Sequence, residues 1–175
     1  MPFAVTHVLV PIILVDLIRD HVLKKPKLIP NRYVFLAGIA GLVLDIDVPI
    51  VTVLNTFFGM GIPSHRVILH NLWIPLSFLA FFMIFYYLAK DKKFALVFLM
   101  LFVGTSTHLL LDAVLTGDIM PFYPLNTETI DWNLIGYISS TSGIPLVTML
   151  ISLDALLLLF WLWHEEYEHH ISDYF

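Results

Sequence analysis

Long apolar runs alternate along this chain with short polar breaks that carry Pro, Gly or clustered charge. The runs lie at about 3–18, 33–58, 66–89, 94–116 and 144–163. Most are near the ~20 residues an α-helix needs to cross ~30 Å of hydrocarbon. The pattern therefore predicts an all-α, integral membrane bundle of about five transmembrane helices, a single domain over residues 1–175, with one long outward loop. The first run lacks a charged leader and a small-residue cleavage site, so it reads as a retained span. Pro26 and Pro30 stop a helix in the basic connection that follows. In the second run, Ala37 and Gly41 have the small-xxx-small spacing that lets a neighbouring helix come close. Gly59, Gly61 and Pro63 make the next turn, and Ser64 is placed to cap a third helix from about His65. Residues 117–143 are polar, with Pro121 and Pro124, and are long enough to suggest a functional loop.

Composition agrees with the pattern. Apolar residues make up 59% of the chain, charged residues 13%, and the mean hydropathy is +0.87, which no ordinary soluble domain shows. With a net charge of −5, no nucleic-acid partner is expected. The absence of Cys excludes disulfides and thiolate metal sites, so any metal would be held by His nitrogen and carboxylate oxygen, as Zn, Mn or Fe can be. Eight of the nine Lys and Arg fall in 19–32 and 90–93, which alternating spans put on one side. By the positive-inside rule that side is the cytoplasm, so the N-terminus is expected outside and the C-terminus inside a cell (inner or plasma) membrane.

Ionisable residues inside apolar runs are costly and normally mark a site. His108 and Asp112, four apart on a helix, share one face. In Leu44-Asp45-Ile46-Asp47-Val48-Pro49 a regular helix would point the two Asp about 200° apart. Pro49 has no N–H for the Asp45 carbonyl, which predicts an interruption that turns both carboxylates inward. His7 begins the first run, while His65, Arg66 and His70 open the third. On the expected topology His7, Asp45, Asp47, His65, His70, His108 and Asp112 all fall at one level near the outer face, enough ligands for one or two divalent ions. Taken singly, His7 reads as an interfacial residue, Asp45 and Asp47 as ion-pair partners of Arg66, and His65 as a helix-start residue. Asp154 reads as a hydrogen-bonding group within the bundle, Asp16, Asp20 and His21 as solvated or interfacial, and the tail His164, His169 and His170 with Glu165, Glu166 and Glu168 as a solvated helix end.

The ordered set His7, Asp45-Ile46-Asp47 with Pro49, His65-Arg66 with His70, and His108-Leu-Leu-Leu-Asp112 followed by Gly117 and Pro121-Phe-Tyr-Pro124 resembles the YdjM-type membrane-bound metal-dependent hydrolases. The chain departs from that pattern at Leu44, Val48, Val67, Leu69 and Asn71. The resemblance implies a fold related to that of the zinc phospholipases C, and it makes Zn the favoured ion. A hydrolase of this kind would act on a phosphoester of a lipid or lipid-linked substrate in the membrane, with Asp47 accepting a proton and Arg66 holding phosphate. Two other classes use the same residues: an ion or proton-coupled transporter, and a non-catalytic membrane partner protein.

Overall fold

The structure, a computed structural model, describes residues 4–24, 27–61 and 69–170. Among these the chain is helical, with α1 (Ala4–Leu17), α2 (Asn31–Ala40), α3 (Asp47–Phe58), α4 (Trp73–Met83), α5 (Lys92–Leu111), α6 (Leu134–Ser142) and α7 (Leu146–His169). It has no named strand, and an isolated antiparallel bridge joins Ile119 to Ile130. Local chemistry sets several boundaries. Pro30 and Pro145 immediately precede α2 and α7, where a missing N–H costs nothing. The Asp91 carboxylate caps α5 by accepting from the Lys93 and Phe94 N–H groups at 2.9 and 3.2 Å.

The packed centre is formed by α1, α2 and α5. Ile12 and Val15 meet Tyr33, Val34 and Ala37 of α2 and Met100 of α5. Two glycines allow the approach. A Cβ on Gly104 would collide with the Ala37 carbonyl and the Ala40 side chain, and one on Gly41 with the His7 carbonyl. Aromatic rings join α4 to α5, with Phe81 and Phe85 stacked on Phe98 at 5.1 and 5.3 Å between ring centroids. α7 lies at the periphery. Only 6% of its apolar window is buried, against 39% for α5 with its extension.

The helices depart from the sequence reading in several places. Among the described residues two helices, Lys92–Thr116 and Leu146–His169, are long and apolar enough to cross a membrane, and a third span results if α2 and Leu44–Phe58, bent by 48°, are taken together. The count of five therefore does not follow from helix lengths, because α1 has 14 residues and Trp73–Leu88 is a shorter apolar helix. The interruption in the second run begins at Gly41, ahead of Asp45, and Pro49 sits in the first turn of α3, a position that tolerates it. His70 precedes α4 on a bend, not on a helix. The segment after Gly117 contains α6, and α7 extends to His169, past the predicted end near 163.

Candidate metal centre

Each donor is delivered by a different local device. His7 lies in the second turn of α1, buried together with Thr6. Asp45 sits on the single 3-10 turn Leu44–Ile46, and Asp47 opens α3. His108 is in the last turn of α5, and Asp112 follows at the point where α5 loosens into the π-helical turn Asp112–Thr116. Such turns widen a helix and often occur at functional sites. His70 owes its place to the loop after Gly117. The Leu72 N–H donates to the Pro121 carbonyl at 2.9 Å, and the Trp73 ring N–H donates to the Tyr123 carbonyl at 3.1 Å. The Asn71 side chain accepts from the Trp73 backbone N–H at 3.1 Å, closing the bend.

These devices bring His7, Asp45, Asp47, His70, His108 and Asp112 together. His7, His70, His108 and Asp112 have no exposed surface, Asp47 is 5% exposed, and the Asp45 side chain is the most open at 20%. Among the described donors Asp45 is thus the one nearest solvent. His108 Nδ1 lies 2.6 Å from the Gly41 carbonyl oxygen. A carbonyl only accepts, so Nδ1 carries the proton and donates, leaving the Nε2 lone pair turned inward. That Nε2 faces His70 Nε2 at 3.1 Å, Asp112 Oδ2 at 3.5 Å and Asp45 Oδ1 at 3.7 Å. His70 Nε2 in turn lies 3.4 Å from Asp45 Oδ1 and 3.6 Å from Asp112 Oδ2.

The separations from His108 Nε2 and His70 Nε2 to each other and to the two carboxylate oxygens lie between 3.1 and 3.7 Å. Bonds of ~2.0–2.2 Å, usual for zinc with His and carboxylate, put tetrahedral ligands about 3.3–3.6 Å apart. A proton on His70 Nε2 could satisfy only one of its three neighbours at a time, whereas a cation could be shared by Asp45, His70 and His108. Asp47, expected among the ligands, instead faces the other side of His70, its Oδ2 3.6 Å from Nδ1. That is where a carboxylate orients a metal-binding imidazole.

A second group joins the first through Asp112. His7 stacks on His108 with centroids 3.9 Å apart, and its Nε2 is 3.6 Å from Asp112 Oδ1. Neither His7 ring nitrogen has a hydrogen-bond partner among the described residues, although the ring is fully buried. Leaving a buried polar atom unsatisfied costs ~1–3 kcal/mol, a cost a ligated cation would remove. Ligand atoms of His7, His108 and Asp112 lie within 4.8 Å of one another, as do those of Asp45, His70 and His108, so both groups could hold a metal ion. The groups share His108, whose single inward nitrogen would serve one ion at a time, and Asp112 turns Oδ1 toward His7 and Oδ2 toward His108 and His70.

The arrangement coincides with the motif order, and the match to known families agrees. The model of the family described as YdjM inner membrane protein covers residues 1–171. The chain belongs to the YdjM family. No curated protein and no solved structure matches the chain. Of the YdjM motif residues expected at the site, His65 and Arg66 lie outside the described residues. Asp154 is engaged elsewhere, accepting a hydrogen bond from the Thr6 hydroxyl next to His7. Sequence reasoning missed the Gly41 carbonyl, Asn71 and the Pro121 and Tyr123 carbonyls. The PFYP motif gave a signal, but its contribution is main-chain oxygen, which residue chemistry does not advertise.

Proposed function

We propose that this YdjM protein is a membrane-bound, metal-dependent hydrolase of a phosphoester in a lipid or lipid-linked substrate, with Zn the favoured divalent ion, one or two per chain. The reading is carried by His108 Nε2, turned inward by the Nδ1 contact with Gly41, meeting His70 Nε2 and two carboxylates at separations of 3.1 to 3.7 Å, the spacing of ligands about one small cation. Such an ion supplies a Lewis acid for the phosphoryl oxygen and lowers the pKa of a bound water toward ~7. His70 and His108 bind it, and Asp112 holds both groups of donors together. Asp45, the most exposed donor, meets water and substrate first. The position of Asp47 behind His70 supports a positioning role, in which it holds the ring and its Nδ1 proton, over the proton-accepting role expected from sequence. Arg66 keeps the phosphate-holding role that the motif implies.

We infer the topology from the basic connections, with the site toward the outer leaflet, the N-terminus outside and the C-terminus cytoplasmic. Reporter fusions after Lys93 and Phe175 should both report cytoplasm. The activity is tested by stripping the purified protein with chelator and assaying it on phospholipids and soluble phosphate esters as Zn, Mn or Fe is restored. Hydrolysis should vanish on stripping and return with metal. Hydrolysis indifferent to the chelator would overturn the reading.

A further inference from the structure

At the opposite end of α1 lies a second polar cluster that the hydrolase reading does not use. Asp16 and Arg19 are 2% and 1% exposed, and α7 brings His164, 4% exposed, and Glu165 against them. Of the sequence reading of Asp16 as solvated or interfacial, and of the tail as a solvated helix end, the solvated part is corrected at Asp16 and His164, which are buried: α7 continues past the apolar run and packs its last turns on α1.

The charges there can be followed one by one. Arg19 donates to both Asp20 oxygens, from Nε at 2.7 Å and from a terminal nitrogen at 3.0 Å, and these two charges cancel. It also donates to Asn31 at 2.8 Å and to His169 Nε2 at 3.1 Å, and the terminal nitrogen that meets His169 forms an ion pair with Asp16 Oδ1 at 2.9 Å. The His169 ring lies between Arg19 and Glu165, with Nδ1 3.1 Å from Glu165 Oε2. Asp16 and Glu165 remain, two carboxylates from two helices with one cation already matched to Asp20.

Two observations point to a ligand at this cluster. His164 Nε2 is buried without a hydrogen-bond partner among the described residues, and a ring nitrogen of His164 lies with carboxylate oxygens of Asp16 and Glu165 within a 4.8 Å set. Beside them a small cavity with room for about one water molecule is lined by Asp16, Asn31, Glu165 and Trp161, whose ring N–H is likewise buried and unpartnered. We propose that Asp16, His164 and Glu165 form a second metal centre, for a divalent cation of the zinc, manganese or cobalt kind. One imidazole and two carboxylates suit such ions, and a charge of +2 balances the two remaining carboxylates. The cation fastens α7, which has little apolar contact of its own, to α1.

The test uses the full-length protein in detergent, stripped of metal and titrated with Co²⁺, with bound metal per chain and the thermal midpoint measured. Glu165→Gln, which keeps size and removes charge, should bind one ion fewer than wild type and lose part of the Co²⁺-dependent rise in midpoint. His164→Ala should do the same. A variant lacking the outer donors, His108→Ala with Asp112→Asn, should retain one ion that Glu165→Gln then removes. Should the outer variant fail to fold, the one-ion deficit of Glu165→Gln decides. Equal stoichiometry in wild type, Glu165→Gln and His164→Ala would overturn the proposal, and would mean that Asp16 and Glu165 share a proton.

Discussion

The two ends of α1 use the same chemical vocabulary and reach different electrostatic solutions. At the His7 end, Asp45, Asp47 and Asp112 gather around His7, His70 and His108, and no Lys or Arg among the described residues forms an ion pair there. At the Asp16 end, three acidic residues gather around Arg19, which makes five of the contacts that hold the cluster. An internal guanidinium thus gives one end much of its counter-charge as part of the fold. In a low-dielectric interior a cluster of carboxylates without compensation is expensive, so each end calls for cationic partners.

Removing the outer donors should have the largest effect. His108→Ala or Asp112→Asn is expected to abolish metal binding at the His7 end and hydrolysis together, leaving only an ion at Asp16, His164 and Glu165, while circular dichroism stays helical, since packing rests on apolar and small residues such as Ala37 and Gly104. Metal retained at the wild-type level in both variants would make the cluster a packing feature. Next comes the internal counter-charge. Arg19→Ala strands Asp16 and Asp20 in a buried setting and should destabilise the fold by ~3–5 kcal/mol, read from denaturant unfolding in detergent. If Arg19→Ala instead proves neutral, the contrast between the two ends fails.

A smaller effect is expected behind His70. Asp47→Asn should weaken metal affinity by roughly 10–100-fold without eliminating the site, as the loss of an orienting carboxylate does. Complete loss of metal would promote Asp47 to a ligand. The smallest effect belongs to the link between Thr6 and Asp154. Thr6→Val should cost about 0.6 kcal/mol, the average for a hydrogen bond between membrane helices, with metal content unchanged.

Helical class, membrane character and most of the outer donors were legible because each leaves a local trace. An apolar run of membrane length, an Asp or His inside it, and a four-residue spacing are all visible along one dimension. His7, Asp45, His70, His108 and Asp112 stand out for that reason, and the structure brings them within a few ångströms. Asp16 and the tail were misjudged for the complementary reason. Beside basic residues or after the last apolar run, an acidic side chain reads as solvated, and nothing local says that α7 will lay it against α1.

The sequence by itself determined that this is an apolar, Cys-free, helical chain with His and Asp where hydrocarbon should exclude them, because hydropathy and composition need no partner to be read. Only the tertiary structure decided which atom of each residue faces the centre. Gly41 turns His108 by a carbonyl that every residue possesses, and Asp47 was separated from the ligands by a bend that starts at Gly41 and puts His70 between. Orientation of this kind depends on contacts across 67 residues of chain for His108 and Gly41, beyond the range of any local pattern.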